Sequence, residues 1–286
     1  MRWLLIGKNG MLGSVFATGE VNLPGDVACM DIEDIDITNP ASINCAIDRI
    51  KPDAILNCSA YTNVDGAETE QDTAYAVNAS GVGYLAQACR QTGAFFIHFS
   101  TDFIFDGQKH EPYFENDIPN PINRYGLTKL HGEEKIRNIL PENQYLIIRT
   151  SWLFGPRGKN FIQRILQLSE EKPKLSVVDD QHGCPTYTLD LARATLNLIE
   201  KRAKGVFHVS NQQVCTWFDL ARFALDTVGK QSYIVERITS DLLNLPAKRP
   251  AFSQMSAQKY EHLCNTNLRN WQDAAREYIE KHLMGA

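Results

Sequence analysis

The chain has 286 residues, 43% of them hydrophobic and 22% charged, with a formal net charge of -5. That size suits one large α/β unit or one domain with a smaller annex, and a weakly acidic chain without a Lys/Arg cluster is a poor nucleic-acid binder. The seven cysteines (29, 45, 58, 89, 184, 215 and 264) are odd in number, irregularly spaced and without C-x-x-C, which argues against a disulfide framework or a zinc site.

The N-terminal apolar run Trp3–Ile6 is too short for a signal-peptide core, and no run approaches a membrane span. A cytoplasmic protein without a membrane partner is expected. Trp3–Ile6 instead reads as a first strand, followed by Val27–Met30, Ala54–Cys58, Phe95–Phe99 and Leu146–Ile148. Each is short and apolar on both faces, the pattern of a parallel sheet covered on both sides. Helical spacing lies between them at Pro40–Ile50, Ala74–Arg90 and Pro121–Asn138. Alternating strands and helices predict an α/β fold, a doubly wound parallel (Rossmann) sheet. Beyond residue 150 the rhythm loosens. Helices are expected at Asn160–Ser169 and Leu189–Lys201, strands at Leu175–Asp180 and Gly205–Asn211, and a helix capped by Thr216 and stopped at Gly229. The predicted division is a Rossmann domain of residues 1–150 and 187–213 and a smaller interleaved substrate domain of 151–186 and 214–286.

Gly7, Gly10 and Gly13 follow the first strand as G-x-x-G-x-x-G. Glycines here permit a tight turn and close approach of the backbone to a pyrophosphate. Asp31 ends the second strand, where an acid can accept bonds from ribose hydroxyls; no Arg follows it closely, so NADH is as plausible as NADPH. Asp36 and Ile37 are placed to flank an adenine. Ala60, Tyr61 and Thr62 follow the third strand, along the same crevice.

Tyr125 and Lys129 stand four apart in a helix and so share a face. A nearby ammonium lowers the pKa of a phenol, and such a tyrosine can protonate a carbonyl oxygen as hydride arrives at carbon. Alone, Y-x-x-x-K occurs often by chance, and a solvated helix with a half-buried Tyr is then the better reading. Thr101 after the fourth strand adds a hydroxyl that can bind the same carbonyl, and the three features form an ordered set.

That set, with "GKNGMLG", "NCSAYTNVDGAE", "HFSTDFIFDG", "NRYGLTKLHGE", "IRTSWLFG", "VVDDQHGCPTY", "GVFHVSN" and "RPAFS", resembles the extended short-chain dehydrogenase/reductase superfamily. More narrowly the chain resembles the dTDP-4-dehydrorhamnose reductase family, over nearly its whole length. The resemblance implies reduction of dTDP-4-dehydro-L-rhamnose to dTDP-L-rhamnose with NADPH or NADH. It implies Thr101, Tyr125 and Lys129 as the catalytic set, and Gly10, Met11, Leu12, Asp31, Asp36, Ile37, Ala60, Tyr61 and Thr62 at the cofactor. It implies Asp102, Trp152, Asn160, Phe161 and Arg249 at the nucleotide sugar. A monomer or homodimer is expected. Some relatives bridge a dimer with glutamate-bound magnesium; Val15 stands at one such position, which removes that ligand. Asp179, Asp180, His182 and Cys184 could ligate a metal, but the resemblance explains them as a turn, and no metal is expected. Phe103 follows Asp102 where dehydratases of this scaffold carry a glutamate, so water elimination lacks its base. A second keto-sugar reductase, or a non-catalytic subunit like the regulatory subunit of methionine adenosyltransferase, is the alternative.

Overall fold

The computed structural model describes Met1–Met284. Six parallel strands form the central sheet: β1 (Arg2–Ile6), β2 (Asp26–Met30), β3 (Ala54–Asn57), β4 (Phe95–Thr101), β5 (Tyr145–Thr150) and β6 (Gly205–His208). Their spatial order is β6-β5-β4-β3-β1-β2, every pairing parallel. The chain leaves β1 toward one edge and returns to β3 on the other side. A crevice opens outside the carboxyl ends of strands at such a reversal, and ligands bind there.

Strand side chains alternate between the two faces. Trp3, Leu5, Leu56, Ile97 and Leu146 pack on one side, against helices Thr188–Glu200 and Trp271–His282. Leu4, Ile6, Ile55, Phe96 and Ile147 pack on the other, against Pro40–Ile50, Val82–Thr92 and Arg124–Ile139. Both faces are therefore dry, and each such side chain contributes about 1.5–3 kcal/mol of burial free energy. Val15 is 1% exposed and belongs to the first of these cores.

The expected helix at Ala74–Arg90 is interrupted. Gln71–Tyr75 leads into a π-helical segment, Ala76–Gly81, before Val82–Thr92. Such wide turns recur at functional sites. Here the segment brings Asn78 against the loop after β3: its Oδ1 accepts from Tyr61 N and its Nδ2 donates to Tyr61 O, both at 2.9 Å. Asn78 Nδ2 also lies 3.1 Å from Thr128 Oγ1, on the helix that carries Tyr125 and Lys129.

The C-terminal part adds helix Phe161–Glu171, a parallel pair of strands Lys174–Val178 and Ile234–Ile238, and helix Trp217–Thr227. Thr216 caps that last helix with a reciprocal Asp219 capping box, and Gly229 adopts φ +80° just beyond its end. Strand Ile234–Ile238 and helices Gln258–Cys264 and Trp271–His282 lie where sequence spacing assigned no element. Among the described residues no helix is long and apolar enough to cross a membrane.

Candidate active site

The glycine turn is a packing necessity. Gly7 adopts φ +87°, and a Cβ on it would lie 2.8 Å from Ser59 N. A Cβ on Gly13 would lie 2.0 Å from the carbonyl oxygen of Gly7. Gly13 thus sets the close approach of turn and helix, while Gly7, Gly10, Met11 and Leu12 line the crevice, which encloses ≈ 810 Å³. Asp31, Asp36, Ile37, Ala60, Thr62, Tyr125 and Lys129 line it too. Asp31 accepts from the backbone of Asn9 (2.8 Å) and Ile32 (2.9 Å). Tyr61 departs from expectation: its backbone is clamped by Asn78, and its hydroxyl lies beside Gly66 rather than on the crevice wall.

A second cavity of ≈ 460 Å³ adjoins the crevice. The two share Thr62, Thr101, Asp102, Tyr125 and Trp152. Thr101 accepts from Phe103 N (3.1 Å) and donates to Asp102 Oδ1 (3.0 Å). Asp102 also accepts from Ser253 Oγ at 2.6 Å, and burial raises its carboxyl to about 6. Tyr125 packs edge-on to Phe103 at 5.9 Å. Burial pushes its phenol up to about 12, opposed by the Thr101 hydroxyl and reinforced by Asp102. The expected lowering by Lys129 is absent from this geometry. The Lys129 side-chain nitrogen is turned to the Phe99 carbonyl (2.6 Å) and His98 Nε2 (3.2 Å), and burial brings its pKa down to about 8.

The second cavity is walled by aromatic rings. Trp152, at φ +46°, stacks on Trp217 at 3.6 Å and 5°, and Phe161 leans on Trp217 at 4.6 Å. A Cβ on Gly183 would strike the Trp152 indole at 2.5 Å, so glycine makes room for it. Arg249 lines the same cavity and grips Asp65 with two bonds of 2.7 Å. Asn160 corrects an expectation: it lines neither cavity. Its Oδ1 caps helix Phe161–Glu171 through Gln163 N (3.0 Å), and its Nδ2 donates to Gly155 O (3.0 Å) and Tyr278 Oη (2.9 Å). Both N–H groups of its amide are committed within the protein.

Sequence reading missed Trp217, Gln181, Asp65, Ser253 and His98. Trp217 had one signal, a large aromatic at the first position of a capped helix. The others become visible only as spatial neighbours. In the 179–184 turn, Asp179 binds Thr216 (2.7 Å) and Arg237, and Asp180 accepts from Ser240. Among the described residues no group of three or more His, Cys, Asp or Glu could hold a metal.

The crevice suits a dinucleotide. Its glycine turn packs so closely on the loop after β3 that a Cβ at Gly7 would meet the Cys58 and Ser59 backbone, and buried Thr150 Oγ1, in the crevice lining, has no partner. A parallel sheet with this order, a glycine turn after β1 and Tyr125/Lys129 beside a carboxyl-end hydroxyl define an extended short-chain dehydrogenase/reductase. Residues 1–284 match the model of the RmlD substrate binding domain family, and the chain belongs to that family. It is 36% identical to a dTDP-4-keto-6-deoxy-D-glucose reductase of Streptomyces niveus, over 96% of this chain and 94% of that one. It superposes on a dTDP-4-dehydrorhamnose reductase of Clostridium acetobutylicum with TM-score 0.93, at 37% identity, covering 98% of this chain and 99% of that one. The dTDP-4-dehydrorhamnose reductase of Bacillus anthracis in complex with NADP gives TM-score 0.92 at 34% identity, covering 98% and 99%.

Proposed function

We propose that the protein reduces the 4-keto group of dTDP-4-dehydro-L-rhamnose to give dTDP-L-rhamnose, in the cytoplasm, with NADPH or NADH. The observation that carries this reading is the meeting of the dinucleotide crevice and the aromatic cavity at Thr101, Asp102, Tyr125 and Trp152. Residues 1–150 and 187–213 are taken as the cofactor half, and 151–186 with 214–286 as the sugar-nucleotide half.

The bound nicotinamide supplies the hydride. Tyr125 supplies the proton: its phenol is protonated at neutral pH, and the alkoxide that forms as hydride arrives is a far stronger base than a phenolate even at about 12. Thr101 fixes the keto oxygen beside it. Lys129 orients the ribose and, when charged, favours the phenolate left after transfer. Trp152 and Phe161 give apolar walls to the sugar and base, and Arg249 offers a planar cation to the diphosphate. Phe103, next to Asp102, has no proton to exchange, so the site lacks the base that water elimination from the keto sugar needs.

A second substrate, another dTDP-linked 4-keto-6-deoxysugar, is favoured by the Streptomyces niveus relative. A coupled assay separates the two. The 4-keto sugars are generated enzymatically, NADH and NADPH are added separately, and the product sugar is identified. Formation of dTDP-L-rhamnose is expected. Turnover confined to a different sugar would move the assignment to that sugar. No turnover with any of them, together with a stable protein partner in pull-down, would favour the non-catalytic alternative.

A further inference from the structure

Behind Lys129 lies a buried polar chain that the reaction above leaves unused. His98 of β4 is fully buried and touches polar atoms at both ring nitrogens. Asn57 Nδ2 lies 3.1 Å from Nδ1, and Lys129 Nζ lies 3.2 Å from Nε2. The Asn57 amide has one orientation. Its oxygen accepts from the backbone N–H (3.1 Å) and the hydroxyl (2.5 Å) of Ser59. A backbone N–H can only donate, so the amide oxygen faces Ser59 and the amide nitrogen faces the imidazole; the network assigns both. The amide nitrogen also only donates. His98 Nδ1 must therefore accept, and the ring proton sits on Nε2, aimed at Lys129. Lys129 Nζ already donates to the Phe99 carbonyl at 2.6 Å. An amine can do both, giving one N–H to Phe99 and its lone pair to His98. An ammonium has no lone pair and would set two donors face to face.

We propose that Asn57 and His98 are positioning residues for Lys129, presenting an N–H to its nitrogen and thereby weakening its hold on a proton in the ligand-free enzyme. The catalytic meaning of this rests on the reductase reading. Ser59 also lines the cofactor crevice, so the chain ties the crevice wall to the charge on Lys129. Other groups around Lys129 are accounted for. Glu133, one turn further along the helix, favours the ammonium, but its carboxylate is bound to Arg149 of β5 and to Arg137. Tyr125 on the same helix and Cys58 after β3 are held neutral by burial. Asp102, at the end of β4, is committed to Thr101 and Ser253. Burial keeps His98 well below its ordinary range, hence neutral, and sets Lys129 at about 8.

The test is the titration of Lys129, followed by NMR at its Cε in lysine-labelled, ligand-free, full-length protein, with Lys129→Arg assigning the signal. Two variants alter the chain. His98→Gln adds no charge and can turn an amide oxygen toward Nζ. Asn57→Asp replaces the amide donor by an acceptor, which draws the ring proton from Nε2 to Nδ1 and leaves Nε2 bare to accept. In each, Lys129 is expected to bind its proton about tenfold more tightly, a rise of about one pH unit. The alkaline limb of kcat/KM, where activity is lost as Lys129 deprotonates, is expected to move up with it. Folded variants that titrate like the wild type would overturn the proposal. So would a wild-type Lys129 titrating at the ordinary value of about 10.4, a result that needs no variant to fold. The titration needs no substrate, so its failure is distinct from a failure of the reductase reading, which the coupled assay decides.

Discussion

In the proposed reaction Tyr125 is the acid, and burial keeps its phenol protonated at neutral pH. Its ring is held by packing against Phe103, and with Thr101 it lines the junction of the two cavities. Tyr125→Phe keeps the ring and removes only the proton. Turnover is expected to fall by about 10²–10⁴-fold, the usual size of a general-acid contribution, with NADH affinity unchanged by fluorescence titration. A variant with near-normal kcat would mean that the proton comes from elsewhere. The pair was legible in the sequence because four residues make one helical turn, so Tyr125 and Lys129 share a face in any straight helix. The direction of the Lys129 side-chain nitrogen was not legible. It depends on the Phe99 carbonyl and on His98, both set by strand pairing. Asn160 shows a second role that spacing did not give: the resemblance implied a place at the sugar, and in the structure its side chain caps a helix start, which needs an acceptor.

At the level of elements, the glycine turn is held by contacts of its own backbone. The expected Cβ of Gly13 meets the Gly7 carbonyl at 2.0 Å, whereas that of Gly10 meets it at 3.3 Å. Gly13→Ala is therefore expected to cost about 1–3 kcal/mol or more by overpacking, and to weaken cofactor binding. Gly10→Ala is expected to be the milder of the two. Thermal unfolding midpoints compared with and without NADH check the order; equal losses would remove the close-approach account. Helix Pro40–Ile50 was readable to the residue, since Asn39 caps it and Pro40 starts it. The π-helical segment Ala76–Gly81 was not. A helix with one widened turn keeps its apolar spacing closely enough to read as continuous. The insertion is decided by what Asn78 must reach, the Tyr61 backbone and Thr128.

Across the whole molecule, the C-terminal segment closes over the sheet domain through three ties. Arg249 grips Asp65, Ser253 donates to Asp102, and Asn123 Nδ2 donates to Lys248 O at 2.8 Å. The first places a cation on the aromatic cavity without exposing it singly. Arg249→Gln is expected to raise the KM for the dTDP-sugar by roughly tenfold or more, the loss of one charged hydrogen-bonding group of about 1.5–3 kcal/mol. With kcat nearly constant, that would mark uniform binding energy. A fall in kcat at constant KM would instead place Arg249 near the reacting carbonyl.

The sequence by itself determined the layered α/β plan, because strands dry on both faces must be apolar throughout and helices between them must repeat every 3.6 residues. The shared helix face of Tyr125 and Lys129 and the glycine turn were legible there too, because their requirements are local. Only the tertiary structure decided which side chains face one another from distant segments. Trp152 on Trp217, Arg249 on Asp65, Ser253 on Asp102 and His98 between Asn57 and Lys129 are such pairs. Partners of this kind carry no fixed spacing along the chain, because strand order and segment closure bring them together.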